Sequence, residues 1–220
     1  MILERDFADA HAAADWLAVS VATRLEKALR ARDRAGLVVS GGRTPALFFD
    51  RLAQQAIEWK LVTVTLADER CVPADHADSN QRFVRERLLV GPAAVAMFVP
   101  LSDKIAALPH PWDVTVLGMG EDGHTASLFP DGDTLAQALS PATTVPVVAL
   151  TAPGAKQRRL TMTLPELTNT HALFVQISGA AKKRVLEDAR RADTPPPIGL
   201  VLRAAPADSC VVWSPDGGQT

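Results

Sequence analysis

From residue 117 the chain reads Leu-Gly-Met-Gly-Glu-Asp-Gly-His-Thr-Ala-Ser-Leu-Phe-Pro, ending at Pro130. Gly118, Gly120 and Gly123 are spaced closely enough for backbone N–H groups to approach a bound group, and Asp122 and His124 flank the last of them. An acid, a base and N–H donors thus share one loop. Imidazole titrates near neutrality, so His124 can take a proton from water at physiological pH, while Asp122 orients its ring or meets substrate hydroxyls. The run from Thr125 to Phe129 is mostly apolar, which puts His124 at the inner end of the loop. A glycine-rich turn is a costly way to place a residue that only packs.

Other segments suit an anion. Ser40-Gly41-Gly42-Arg43-Thr44-Pro45 follows the apolar run Leu37–Val39 and reads as a tight turn into a helix, with Thr44 as cap and Pro45 in the first turn. A phosphate is the natural guest of such a turn, although the glycines match neither the Walker nor the dinucleotide pattern. Ser178-Gly179-Ala180-Ala181-Lys182 repeats the geometry and adds an ammonium in the first helical turn. Arg158 and Arg159 supply a guanidinium that can hold phosphate in bidentate fashion. Asp68-Glu69-Arg70 stands at a strand end, and Ser79-Asn80 reads either as a helix cap or as part of a site. His11, His76, His110 and His171 lack an accompanying glycine turn and read as structural or solvent-facing, and Lys183 and Arg184 as surface charge. No third His or Cys stands at ligand spacing beside Asp122 and His124, so no metal is expected. The only cysteines, Cys71 and Cys210, form no CxxC pair, and no G-x-S-x-G nucleophile motif occurs.

The elements that must position these groups follow from hydrophobic periodicity. Leu17, Val21, Leu25 and Leu29 predict an amphipathic helix over residues 7–35, stopped by Gly36. Strands are predicted at residues 37–39, 61–66, 113–117, 145–150 and 172–177, with helices over 80–89 and 180–191 and a polar loop over 68–79. Thr194-Pro195-Pro196-Pro197 breaks the last helix, and Cys210–Trp213 reads as an edge strand before a polar tail ending at Thr220. Strands alternating with helices argue for an α/β fold, a largely parallel open sheet with helices on both faces. Ligands of such sheets bind outside the carboxyl ends of the strands, and the polar segments above all lie at such ends.

The chain has 220 residues, 47% of them hydrophobic, which fits a single domain over 1–220. With 23 Lys and Arg against 25 Asp and Glu there is no global field for nucleic acid or an anionic membrane, so any anion site is local. Charges of both signs at Glu4, Arg5 and Asp6 argue against a signal peptide, and the longest apolar stretch, Ala93–Leu101, is too short to span a bilayer. A soluble cytoplasmic protein is expected.

Taken in order, Ser40-Gly41-Gly42 to Thr44-Pro45, Asp68-Glu69-Arg70 to Ser79-Asn80, Leu117–Pro130 and Gly179–Lys182 resemble the 6-phosphogluconolactonase family, over roughly residues 37–190. The resemblance implies a fold shared with glucosamine-6-phosphate deaminases and ribose-5-phosphate isomerases. It implies hydrolysis of 6-phosphoglucono-δ-lactone in the oxidative pentose phosphate pathway, with a small phosphorylated lactone as partner and neither metal nor cofactor. It makes His124 the general base, with Asp122 beside it, and has Arg70 stabilise charge near the carbonyl or contact the phosphate. Substrate and phosphate contacts are implied at Ser40, Gly41, Gly42, Thr44, Asp68, Asn80, Gly118, Gly120, Gly179 and Lys182. Either Arg159, the better match, or Arg158 joins them. Arg43 stands where the family often has serine and is a further candidate. Two rivals remain: an isomerase or amino-sugar phosphate deaminase of the same fold, and a non-catalytic sugar-phosphate sensor, which would need an output domain the chain has no residues to spare for. Residues beyond 194 carry no motif.

Overall fold

The computed structural model describes residues 2–42 and 44–215. Strand β1 (Leu3–Asp6) leads into helix α1 (Ala10–Arg32). The Asp9 carboxylate caps α1 by accepting the Ala12 N–H at 2.8 Å, and Leu17, Val21, Leu25 and Leu29 form the buried stripe their spacing predicts. The helix is shorter than expected: at Asp33 the backbone turns left-handed (φ 54°) and returns its N–H to the Leu29 carbonyl. Gly36, read as the stop, lies within strand β2 (Ala35–Val39), where a Cβ would stand 2.8 Å from the Trp112 ring.

The chain continues through α2 (Ala46–Leu52), β3 (Val62–Leu66), β4 (Asp68–Arg70), α3 (Asn80–Arg87) and β5 (Met97–Phe98) to β6 (Trp112–Leu117). Then come α4 (Leu135–Leu139), β7 (Val147–Leu150), β8 (Arg159–Met162), α5 (Leu164–Thr168), β9 (Thr170–Ser178), α6 (Ala180–Arg191), α7 (Pro197–Ala204) and β10 (Asp208–Ser214). Thr44 does not cap α2, which begins after Pro45 with no side-chain capping bond.

Seven strands form one parallel sheet in the order β1-β10-β9-β6-β2-β3-β5. From β2 the chain steps outward to β3 and β5; from β6 it steps the other way, to β9 and β10. Right-handed crossovers running in opposite directions put α1, α2 and α3 on one face and α5, α6 and α7 on the other. The packing agrees, with α1 against α2 and β2, and α6 against α7 and β9. The strand order reverses between β2 and β6, so the loops leaving these neighbours diverge and open a crevice at their carboxyl ends. Ser40 and Gly118 are the residues that follow these two strands.

Three further sequence expectations change. The strand expected over residues 145–150 forms over Val147–Leu150 and belongs not to this sheet but, as β7, to a separate antiparallel sheet in the order β4-β8-β7. The expected loop at residues 68–79 opens with β4, whose carbonyl and N–H groups pair with β8. Cys210–Trp213 is no edge: β10 lies between β9 and β1, and β1, exposed at every residue and so lacking an apolar pattern, takes the edge.

Candidate active site

A cavity of about 280 Å³ opens at the carboxyl ends of β2 and β6. It brings together Ser40, Gly41, Gly42 and Thr44 from the first loop and Asp68, Arg70 and Asn80 from the second. Gly118, Gly120 and His124 from the glycine loop, Arg159 from β8 and Lys182 from α6 complete the set. Arg43 lies outside the described residues. Gly179 does not line the cavity; it occupies the cap position of α6 at φ 89°, a conformation that suits glycine, and its carbonyl accepts the Trp213 indole N–H. Arg158 does not reach the cavity, and Lys183 is tied to Asp6 and stacks on Trp213.

The glycine loop folds around His124. Gly120 donates its N–H to the His124 carbonyl at 2.9 Å, and the Thr125 hydroxyl closes the loop onto the Gly118 carbonyl at 2.7 Å. The Asp122 carboxylate accepts from His124 Nδ1 at 2.5 Å and also from the His124 backbone N–H at 3.1 Å. With Nδ1 donating to a carboxylate, Nε2 keeps its lone pair, which is the tautomer a general base requires. Asp122 therefore orients the ring from behind and does not line the cavity. Gly123 (φ 78°) leaves room that a Cβ would take from Pro196, and its carbonyl accepts the Ile198 N–H at 3.0 Å. Pro196 and Ile198, in a stretch that carried no motif, thus brace the loop that bears His124.

The antiparallel sheet supplies the opposite charge. Its register sets Arg70 directly across from Arg159. Like charges facing across a strand pair destabilise it, and here the Nε of each guanidinium is buried with no partner among the described residues. The buried Ser40 hydroxyl, in the same cavity, is also unpartnered. Three residues that each hold an unsatisfied polar atom, two of them cationic, thus line one cavity, a lining that suits an oxyanion. Lys182 adds a third cation in the first turn of α6, whose start carries no side-chain cap. Burial pushes the Arg159 guanidinium below its ordinary value, and the Arg70 charge adds to the effect.

Asp68 and its neighbours are structural as much as chemical. The Ser127 hydroxyl donates to Asp68 Oδ2 at 2.6 Å, and Asn80 Nδ2 donates to the Asp68 carbonyl at 2.9 Å. The Asn80 amide lies where a Gly41 side chain would be, 2.1 Å from its Cβ position, so Gly41 admits Asn80 between the strand ends. Glu69 turns away from the cavity and accepts the N–H groups of Asn80 and Gln81 at 2.8 and 2.7 Å, capping α3. Burial raises the Asp68 carboxyl above its ordinary value, outweighing the Ser127 bond and the Arg159 and Arg70 charges. The sign follows: with the folded-state value above the unfolded one, stability contributed by neutral Asp68 is lost as pH rises through the folded-state value. Asp68→Asn is therefore expected to raise Tm at neutral pH, by about 2–4 °C for each kcal/mol gained. Thermal melts of both proteins at pH 4 and pH 7 check this; a lower Tm for the variant at pH 7 contradicts it.

Sequence reasoning missed Pro45, Met119, Ala126, Ser127 and Phe129, all of which line the cavity. Ala126 carried a signal only in the structure, a left-handed backbone (φ 49°) in a non-glycine residue. A larger opening, of about 580 Å³, lies near the amino ends of β6 and β9. There His110 and Trp112 both bond Glu166, at 2.7 and 2.8 Å, so its main polar groups satisfy one another. Size alone does not mark the site; convergence of unsatisfied groups does.

Residues 8–213 match the model of the family described as glucosamine-6-phosphate isomerases/6-phosphogluconolactonase. A 6-phosphogluconolactonase of Rhizobium meliloti (strain 1021) is 42% identical, the match covering 95% of this chain and 97% of that one. The crystal structure of a 6-phosphogluconolactonase from Shewanella baltica OS155 superposes with a TM-score of 0.92 at 36% identity, covering 97% and 98% of the two chains. A monomeric glucosamine-6-phosphate deaminase, at 15% identity, has the same fold with a TM-score of 0.77 over 98% of each chain. With the matched region spanning every strand and loop that builds the cavity, the chain belongs to the glucosamine-6-phosphate isomerase/6-phosphogluconolactonase family.

Proposed function

We propose that this chain hydrolyses 6-phospho-D-glucono-1,5-lactone to 6-phospho-D-gluconate, the lactonase step of the oxidative pentose phosphate pathway, with His124 as general base. The observation that carries the reading is a facing pair of half-buried arginines, Arg70 and Arg159, in one cavity with an imidazole whose Nδ1 is held by a carboxylate. The arginines call for an anionic substrate, and the imidazole calls for a proton to remove.

In this reading the substrate phosphate lies among Lys182, Arg159, Ser40 and the N–H groups of Gly41, Gly42 and Thr44. That places the lactone carbonyl toward the glycine loop. His124 Nε2 takes a proton from water as the oxygen attacks C1. The Gly120 N–H is already bonded to the His124 carbonyl, so Gly118 and Met119, which make no backbone hydrogen bond among the described residues, supply the N–H groups nearest the oxyanion. The Arg70 guanidinium is pinned through Nη1 to the Asp78 carbonyl at 2.6 Å and faces Arg159, which supports a contact with the phosphate group rather than with the carbonyl. Collapse of the intermediate breaks the C1–O5 bond, and the protonated His124 returns its proton to the ring oxygen. A δ-lactone is reactive enough that no covalent enzyme intermediate is needed. We place the reaction in the cytoplasm and assign it to one domain spanning the chain.

Substrate comparison separates this from the other chemistries of the fold. The enzyme is expected to release acid from the phosphorylated lactone, no ammonia from glucosamine 6-phosphate, and no ketose from ribose 5-phosphate. Ammonia or ketose formation without lactone turnover overturns the reading.

A further inference from the structure

One hydrogen bond fixes a point on an imidazole, not its plane. Asp122 holds His124 at Nδ1, but its side chain is half exposed, and the bond alone leaves the ring free to pivot about that contact. Gly120 closes the adjoining edge: a Cβ there would stand 2.2 Å from both Nδ1 and Cε1, so the loop backbone fits close against the ring. What remains to be fixed is the plane, and Phe129 lies across it. The two ring centroids are 4.3 Å apart, with the planes tilted by 36°. Phe129 is itself held. Its N–H donates to the Ser127 carbonyl at 3.0 Å, Ser127 is anchored to buried Asp68, and the Arg159 guanidinium lies 5.9 Å from the Phe129 centroid.

We propose that Phe129 is a positioning residue for His124, holding the imidazole plane so that Nδ1 stays on Asp122 while Nε2 faces the water to be activated. The proposal rests on His124 being the general base. A flat ring at van der Waals distance blocks rotation of the imidazole out of its plane and keeps bulk water off the covered face. An aliphatic side chain of similar volume fills the space but presents no flat wall.

The test is a double-mutant cycle in kcat with folded protein verified by circular dichroism. Phe129→Leu is expected to lower kcat about tenfold with KM within twofold, to lower it less than twofold when His124 is already asparagine, and to be rescued by Phe129→Tyr. A purely structural role would lower Tm and leave kcat per folded molecule unchanged, which overturns the proposal. Equal losses in both backgrounds overturn it too, because Phe129 then acts independently of the base. A near-normal kcat for H124N would instead refute the base assignment itself. Proton NMR of the unmodified protein adds a test that does not depend on any Phe129 variant folding. The His124 ring protons, assigned by their loss in H124N, are expected upfield of their free-imidazole positions from the Phe129 ring current. Unshifted resonances overturn the proposal.

Discussion

Replacing His124 with asparagine is expected to lower kcat by ~10²–10⁴ while KM for the phosphorylated lactone stays within a few-fold. That loss corresponds to about 3–5 kcal/mol of transition-state stabilisation at roughly 1.4 kcal/mol per decade. Asparagine keeps a polar side chain of similar reach in the Asp122 contact, so the loop that Gly120, Gly123 and Thr125 fold around this position is preserved. What disappears is the lone pair on Nε2. The cations on the far wall are untouched, which is why ground-state binding should survive. Steady-state rates corrected for spontaneous hydrolysis check the expectation, and a variant within threefold of the unmodified kcat removes His124 from the base role.

The second large effect concerns binding. Lys182→Ala and Arg159→Ala should each raise KM for the phosphorylated lactone by roughly 10- to 10²-fold, from the ~1.5–3 kcal/mol of a charge-assisted hydrogen bond. Neither should change KM for unphosphorylated gluconolactone by more than about twofold, because neither residue meets the ring in the proposed pose. The two variants should differ in stability. Removing Arg159 relieves the guanidinium facing Arg70, so R159A should melt no lower than the unmodified protein, whereas removing Lys182 has no such compensation. Equal losses on both substrates would show that these residues do not read phosphate.

Much of this arrangement is legible in the amino-acid sequence. The glycines around Asp122 and His124, the Ser40 turn and Lys182 announce themselves because each is a local feature: a turn needing glycine, or a charge in the first turn of a helix. Helix α6 falls at residues 180–191 as its pattern predicts. The misses share a different cause. Asp68-Glu69-Arg70 looks like a charged loop, and only its pairing with a strand far along the chain turns it into β4 and sets Arg70 opposite Arg159. Glu69 caps α3 through a contact that its neighbours in sequence do not suggest. Phe129 reads as one more apolar residue until the loop curls back and lays it on His124. The brace at Pro196 and Ile198 lies at the start of helix α7, in a stretch without a motif; the prolines end α6 as expected, and Pro197 then occupies the first turn of α7, where a missing N–H costs nothing. Contacts made only once the chain is folded, not weak propensity, hid these features.

Acid release from freshly generated 6-phosphogluconolactone, followed at neutral pH with and without enzyme and corrected for spontaneous hydrolysis, bears most directly on the proposed reaction. A saturable rate above background, proportional to enzyme and yielding 6-phosphogluconate, is the expected result. Binding of the sugar phosphate with no rate above background would contradict it and leave the cavity a sensor's pocket rather than an active site.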